Sequence, residues 1–225
     1  MFLTLFFEAI YPHLPLLLVG LALAGLAEFI RARGRARASR IKGEEGERLV
    51  ARVVDESGFE AMHDVLLPHA RRDCFWQIDH LVCLPVGIAV LETKNFSGLI
   101  YASKGDPRWT QAIGRRRHRF LSPIVQNDGH IQAVEAIVPR GIAVFGQVLF
   151  VGDARFPKGM PDEVSNLTQL RQSLAAVRGM PVPDDVQEAW AALTAEARRD
   201  GEARAAHREG VEESKAAWRN RRKAL

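Results

Sequence analysis

The sequence contains little cysteine, only Cys74 and Cys83 in 225 residues. The two form no CxxC pair, and no matching set of cysteine and histidine occurs elsewhere, which excludes the common zinc-binding motifs. Both lie in strand-like segments, a placement that favours buried, reduced thiols in a cytosolic domain. The sequence also shows no internal repeat.

A strong charge of one sign is absent as well, since 31 basic and 27 acidic residues leave a formal net charge of +4. The basic residues are nevertheless clustered, at 31–42, 115–119 and 219–223. Such clusters indicate phosphate-bearing partners, lipid or nucleic acid, with a solvated charged face as the alternative for any one of them. Hydrophobic residues make up 47% of the chain, which supports a packed core and excludes global disorder.

One long apolar run is present, from Leu14 to Ile30, with a single charge at Glu28. At about 1.5 Å per residue, a helix of this length just spans a hydrocarbon core. Positive charge follows the run and no small-residue cleavage site does, which favours an anchor over a signal peptide. A buried core helix is the alternative.

These features predict four regions along the chain. A single-pass transmembrane anchor at 1–30 precedes a basic juxtamembrane linker at 31–42, whose charge favours anionic lipid. By the positive-inside rule, the rest of the chain faces the cytoplasm. A folded domain at 43–155 and a mainly helical extension at 156–225 follow, and 225 residues accommodate one mid-sized domain with extensions.

Hydrophobic periodicity and turn residues predict one α/β core. The predicted elements are a helix at 42–57, strands at 75–84, 88–93 and 98–102, a helix at 122–138 and a strand at 142–151. Pro85-Val86-Gly87 reads as a turn, so the first two strands should form a hairpin. Ser122 and Pro123 have the character of an N-cap and a first helical residue.

Three residues, Asp79, Glu92 and Lys94, form the constellation that carries chemistry. Side chains alternate along a strand, so Glu92 and Lys94 share one face and Thr93 takes the other. If the hairpin forms, Asp79 comes beside Glu92, and a divalent cation between them removes the repulsion of two carboxylates. Mg²⁺ suits such oxygen ligands, and the backbone carbonyl of Thr93 is a further predicted ligand.

This arrangement suits phosphodiester hydrolysis by a metal-activated water, with Lys94 orienting that water or stabilising charge on the phosphate. Glu47 is a fourth candidate because it borders the apolar stripe of the first predicted helix. Its alternative role, shared with Glu44 and Glu45, is to complement the helix dipole. An Asp and a Glu-x-Lys at this separation also arise by chance, so spacing alone does not establish a nuclease.

The strings GEEGERLV, QIDHLVCLPVGIAVLETKNFSGLI, RWTQ and SPIVQNDGHIQAV together resemble the nuclease-related domain in order and spacing. That family is related to PD-(D/E)xK nucleases such as archaeal Holliday junction resolvases. The resemblance covers about Lys42 to Phe150. It implies a restriction-endonuclease-like core with a mixed central sheet flanked by helices. It also implies Mg²⁺ dependence, with Mn²⁺ as the alternative ion, and a DNA substrate, with RNA as the alternative. Ile78 departs from the proline of the superfamily name.

Carried over by position, the resemblance assigns the catalytic set to Glu47, Asp79, Glu92 and Lys94. The supporting positions that it implies are Gln77, His80, Gln111, Gln126 and His130. Gln126 and His130 are four residues apart and so share a helix face. His130 binds phosphate or orients a carboxylate, or else is a satisfied structural histidine.

The basic residues that follow Trp109 fit a contact with a nucleic-acid backbone, or a plain charged loop. They are Arg115, Arg116, Arg117 and Arg119. The predicted function is therefore a Mg²⁺-dependent DNA endonuclease tethered to the membrane. The alternatives are a catalytically inactive nucleic-acid-binding or scaffold module, and a restriction-like or phage-defence effector that differs in biological role and not in chemistry.

Overall fold

The computed structural model describes residues 14–69, 72–103 and 105–223. Within them the helices are α1 Leu14–Ser57, α2 Pro123–Glu135, α3 Leu167–Ala176, α4 Asp184–Glu196 and α5 Gly201–Lys223. The strands are β1 Ala61–Pro68, β2 Phe75–Leu84, β3 Gly87–Lys94, β4 Gly98–Tyr101, β5 Arg108–Ile113, β6 Arg116–Leu121, β7 Val144–Phe150, β8 Ala154–Arg155 and β9 Val164–Ser165. The chain divides into two compact units, Met1–Glu44 and Glu45–Leu225.

The second unit is a mixed α/β structure, as predicted, with a mixed sheet flanked by helices. The five-stranded sheet has the order β1-β2-β3-β7-β9, in which the first three strands are antiparallel and β7 and β9 join in parallel. A four-stranded sheet has the order β6-β5-β4-β8. The predicted β2–β3 hairpin is confirmed. Its Gly87 has φ +127°, and a Cβ there would lie 2.2 Å from the Ala143 carbonyl oxygen, so a larger residue would disturb the start of β3.

Helices cover both faces of the five-stranded sheet. On one face, α2 and α4 pack against β1, β2 and β3, and Val186, Trp190 and Leu193 of α4 lie in that core. On the other face, α3 and the last turns of α1 pack, the latter through Val50, Val53 and Val54. These apolar contacts position the middle of β2 and the end of β3, which carry the candidate site.

Side-chain alternation is interrupted where two aspartates lie across from each other on β1 and β2. The register pairs His63 with His80 and Val65 with Ile78, which brackets Asp64 and Asp79. Asp64 has φ +51°, unusual for a residue other than glycine. On the face that α2 and α4 cover, the core residues of β1 lie at even positions before Asp64 and at odd positions after it. The core residues of β2 change from even to odd positions in the same way across Asp79. On β1 they are Met62, Val65 and Leu67, and on β2 they are Ile78, Leu81 and Cys83.

Several predicted boundaries need correction. The first helix begins at Leu14 and not near Lys42, so the predicted linker at 31–42 is helical. The helix after Ser122 ends at Glu135 and not near Val138, and the Ser122 side chain makes no capping hydrogen bond. The basic segment at 115–119 belongs to the β5–β6 hairpin, with 116–119 in β6, so it is not the loop that the sequence offered as one alternative. Strands β1, β5, β6, β8 and β9 had no counterpart in the prediction.

In the ranges that the structure describes, no helix has both the length and the apolarity needed to cross a bilayer. The predicted anchor at 1–30 falls partly on residues 1–13, which lie outside the described residues. The anchor stays a prediction. Both cysteines are free thiols, and Cys83 is buried in β2 as predicted, whereas Cys74 is only half-buried and directly precedes that strand.

Candidate functional site

The candidate site centres on Glu92, near the end of β3. Its side chain is only 1% exposed because it shares a strand face with the buried residues Ile88 and Val90. The Lys94 amino group donates a hydrogen bond to Glu92 Oε1 and a second, 3.2 Å long, to Gln126 Oε1 on α2. The lysine is 18% exposed, so it connects the buried carboxylate with the surface.

Asp79 lies on β2 next to this pair. Continuing the β2–β3 register past His80 and Leu91 places it opposite Glu92. The backbone N–H of Thr93 donates a 2.8 Å hydrogen bond to Asp79 Oδ2. Burial, together with the charge of Glu92, raises the pKa of Asp79 to about 7, although the Thr93 N–H and Lys94 act in the opposite direction.

The second oxygen of Glu92 faces a histidine. Glu92 Oε2 lies 3.4 Å from His130 Nδ1, and neither atom has a hydrogen-bond partner within the described residues. Burial raises the pKa of the Glu92 carboxyl, while Lys94 lowers it and Glu47 adds to the rise. Burial also lowers the pKa of His130 to about 3, so its ring is neutral at physiological pH.

Glu47 reaches the same region from α1. Its charge contributes to the raised pKa of Glu92. The helix approaches the strand end closely at the preceding residue, Gly46, where a Cβ would lie 2.8 Å from the Cβ of Asn95. Glycine at this position therefore allows the helix turn that carries Glu47 to lie near the carboxylates.

The residues at the strand ends fit a divalent cation. Burial raises the pKa of both the Asp79 and the Glu92 carboxyl, the charge of Glu92 adds to the rise at Asp79, and a bound cation would compensate both charges. Glu92 Oε2 supplies a buried oxygen without a hydrogen bond. Across the described ranges, no group of three or more His, Cys, Asp and Glu residues is arranged to hold a metal. The carboxylates available to a cation here are therefore those of Asp79 and Glu92, and hard divalent ions prefer oxygen ligands of this kind.

Two predicted supporting residues contact neighbours of Asp79 and Glu92 and not these two carboxylates themselves. Gln77 donates a 2.8 Å hydrogen bond to Asp64 and not to Asp79. His80 contacts Thr93 Oγ1 through Nε2 at 3.2 Å. Its Nδ1 lies 2.8 Å from Nδ1 of His63. Burial, and next the neighbouring His63, lowers the pKa of His80 to about 3.

The remaining predicted residues lie on the four-stranded sheet. The Gln111 side chain donates a 2.8 Å hydrogen bond to the carbonyl of Ser97, which holds the segment that follows β3. The four predicted arginines are exposed on the β5–β6 hairpin, and the Arg117 guanidinium lies 5.7 Å from the ring centre of Tyr101. The structure thus brings together Asp79, Glu92, Lys94, Gln126 and His130, with Glu47 close by. Gln111 and the arginines lie outside that cluster.

Two residues near the site were not predicted. Arg204 on α5 donates hydrogen bonds of 3.3 and 2.8 Å to the two carboxylate oxygens of Asp64. Asp64 in turn contributes to the raised pKa of Asp79. No local sequence pattern predicts this pair, because its members are 140 positions apart.

Comparison with known proteins agrees with the resemblance. A family model described as "Nuclease-related domain" matches residues 42–151. An uncharacterized protein of Bacillus anthracis is 37% identical over 112 residues, which cover 48% of this chain and 52% of the relative. The chain therefore spans about half the length of the curated relative it matches. No solved structure matches the chain.

The raised pKa of Asp79 predicts a pH-dependent stability difference in metal-free protein. Below the unfolded-state pKa of 3.8 the carboxyl is protonated in both states, and between 3.8 and about 7 only the unfolded state releases the proton. The free energy of unfolding of the wild type therefore falls as pH rises through this window. In Asp79→Asn this decrease should be absent, because asparagine does not titrate. Urea unfolding in EDTA should show the variant gaining on the wild type from pH 4 to 7, on the order of 1 kcal/mol per pH unit, with no further gain above pH 8. A stability difference between Asp79→Asn and the wild type that does not change with pH would contradict the raised pKa of Asp79.

Proposed function

We propose that this protein is a Mg²⁺-dependent endonuclease that hydrolyses phosphodiester bonds of DNA, which the match of residues 42–151 to the nuclease-related domain supports. The observation that supports this proposal most directly is the buried carboxylate of Glu92. One of its oxygens accepts a hydrogen bond from Lys94, and the other has no hydrogen bond within the described residues. A buried carboxylate is costly unless it is compensated, and sites that tolerate such a cost are often functional.

The residues that would hold the ion are Asp79, Glu92 and the backbone carbonyl of Thr93. Held there, Mg²⁺, or Mn²⁺ as the alternative, would supply Lewis-acid polarisation of a phosphoryl oxygen and activation of a water. The Thr93 N–H bond orients the Asp79 carboxylate before any ligand enters. This preorganisation removes part of the cost of assembling the site.

Lys94 is the residue best placed to meet the phosphate. Its amino group is held between Glu92 and Gln126, and its side chain reaches the surface. A cation in this position stabilises negative charge that develops on the phosphate as the bond to the leaving oxygen breaks. The neutral ring of His130 lies against Glu92 Oε2 and keeps that carboxylate in place. Glu47 adds negative charge on the same side.

The exposed β5–β6 hairpin is the proposed contact with the nucleic-acid backbone. Its four arginines carry positive charge on a rigid two-stranded element, and none of them is buried. Such charges bind phosphates without sequence preference. The same contact would serve RNA as well as DNA.

A catalytically inactive nucleic-acid-binding or scaffold module is the second candidate function. The observation that favours it is the direct ion pair between Lys94 and Glu92, which by itself neutralises the buried carboxylate. In that case the acidic cluster is a structural network, and the arginine hairpin carries the activity. The two candidates differ in whether the cluster binds a metal and in whether DNA is cut.

Membrane attachment through residues 1–30, with the domain facing the cytoplasm and anionic lipid bound near 31–42, is part of the proposal. Its support is the apolar run, followed directly by basic residues. In the described part of that run, the large apolar side chains Leu21, Leu23, Leu26, Phe29 and Ile30 are 54–70% exposed. Apolar side chains exposed together in this way mark a membrane or protein contact.

Metal binding separates the two candidate functions. Adding Mg²⁺ or Mn²⁺ should raise the melting temperature of the protein, because a ligand that binds only the folded state stabilises it. Asp79→Asn should abolish most of that rise, whereas Asp153→Asn, an exposed residue outside the cluster, should retain it. Calorimetry or dye-based melting measures both. An equal rise in wild type and Asp79→Asn would contradict the metal assignment.

Cleavage tests the catalytic role of Lys94. Wild-type protein with Mg²⁺ should nick or cut plasmid DNA, and Lys94→Ala should lower the cleavage rate by about 100-fold or more. DNA affinity, measured in EDTA, should change by less than about threefold because the arginine contacts remain. Lys158→Ala, at an exposed lysine, is the matched control and should keep its rate. Undiminished cleavage by Lys94→Ala would remove it from the mechanism.

The anchor is tested by fractionation. The full chain should sediment with membranes and resist extraction by alkaline carbonate, because an apolar helix in the bilayer is not released by high pH. A chain that starts at residue 31 should lose this resistance, and residual binding should then depend on anionic lipid and salt. Release of the full chain by carbonate alone would show that residues 1–30 do not span the membrane.

A further inference from the structure

A cavity of about 580 Å³ lies beside the candidate site, in a volume range typical of ligand pockets. Its walls come from the start of β2, from the ends of the β5–β6 hairpin and from α5. The helix passes very close to β2 at Gly210, where a Cβ would lie 2.7 Å from the Cβ of Cys74. This close approach closes one side of the cavity, so α5 is part of its construction.

The cavity has aromatic walls. Phe75 and Trp76 line it, together with His69, whose ring is stacked on Trp76 with centroids 5.2 Å apart and an angle of 16° between planes. Leu121 and Val211 complete the apolar surface. Flat rings of this kind offer stacking surfaces for other planar groups.

Trp76 connects the cavity with the carboxylate cluster. Its ring meets that of His130 edge to face, with centroids 5.3 Å apart, and His130 lies against Glu92. The contact with α2 is tight, since a Cβ at Gly129 would lie 3.0 Å from the Trp76 ring. The side chains of Trp76 and His130 therefore lead from the cavity to Glu92.

The cavity also carries positive charge. Arg72, Arg108 and Lys215 line it. Arg72 donates hydrogen bonds to His69 at 3.1 Å and to Ser214 at 2.8 Å, which fixes its guanidinium between β2 and α5. Cations around an aromatic pocket complement a planar group that is attached to phosphates.

We propose that this cavity binds an unstacked base of a single-stranded nucleic acid while the adjoining phosphate enters the candidate site. The proposal rests on the proposed function and specifies its substrate class as single strands, flaps or frayed ends. A base inside a duplex is unavailable for such stacking, so intact duplex should bind only through the backbone. A lipid chain would use the apolar walls but would gain nothing from the stacked rings beside His130.

The proposal gives a role to part of the C-terminal extension. Helix α5 lies outside the matched segment 42–151, yet it supplies His207, Val211 and Lys215 to the cavity. Substrate selection would then depend on a segment that is separate from the residues carrying the chemistry.

The test compares oligonucleotides that differ only in their bases. Purified full-length protein is titrated in EDTA, where no cleavage occurs, with a labelled oligothymidylate of twelve nucleotides, an abasic strand of equal length and a duplex. Fluorescence anisotropy should show at least about fivefold tighter binding of the oligothymidylate than of the abasic strand, as expected when stacking one base is worth about 1–3 kcal/mol. Equal affinities for these two strands would overturn the proposal.

Three variants locate the effect. Trp76→Leu should reduce the preference for oligothymidylate over the abasic strand to less than about threefold. Lys215→Glu should weaken binding of oligothymidylate by about fivefold or more, whereas Arg208→Glu makes the same charge change at an exposed residue of α5 outside the cavity. Equal losses in these two glutamate variants would contradict a role for the cavity, even if Trp76→Leu does not fold.

The outcomes also separate this proposal from the nuclease function. A base preference that depends on Trp76, with binding that depends on Lys215, in a protein that cuts no DNA with Mg²⁺ would leave the subsite standing and refute the nuclease. Cleavage without a base preference would do the reverse. Competition by short-chain phosphatidylglycerol, in the absence of any base preference, would identify a lipid site and overturn the proposal.

Discussion

The candidate site depends on one constraint: a carboxylate, that of Glu92, is buried at the end of an apolar strand. Removing such a group from water costs several kcal/mol unless partners compensate it. Lys94 compensates one oxygen, and the neutral ring of His130 lies beside the other without a hydrogen bond. The neighbouring carboxylate of Asp79 is compensated by a hydrogen bond from a single backbone N–H, that of Thr93. The structure therefore holds two acidic groups whose charges are only partly balanced, which is the condition that a cation relieves.

The sequence was sufficient to predict the elements that carry this constraint. Apolar runs bounded by Pro85 and Gly87 located the hairpin, and alternation placed Glu92 on the inward face with Val90. Alternation could not locate the shift across Asp64 and Asp79, because a positive φ at an aspartate leaves no periodic signal. The β5–β6 hairpin was missed for a related reason, since the run from Arg116 to Arg119 has no apolar alternation to mark a strand. The helical state of 31–42 was hidden by its charge, although arginine and alanine are good helix formers.

Long-range polar contacts account for most of the other features that the sequence did not predict. Arg204 reaches Asp64 from the C-terminal helix, and the Trp190 indole donates a 2.8 Å hydrogen bond to Glu60 from the helix before it. Neither pair has a spacing that a sequence pattern could detect, because each exists only once the helices have packed on the sheet. These contacts bring the C-terminal extension against β1 and β2. The extension therefore contributes to the surroundings of Asp79 and also forms a wall of the aromatic cavity.

Thr93 shows how the two faces of the sheet act together. Its backbone N–H bonds to Asp79, and its hydroxyl lies 3.2 Å from His80. The contacts continue from His80 to His63, and from His63 to Asp55 at 3.1 Å on the exposed end of α1. This series of contacts, from Asp55 through His63 and His80, ends at the residue whose backbone N–H bonds to Asp79. Direct contacts therefore link the histidine pair on β1 and β2 to the candidate site.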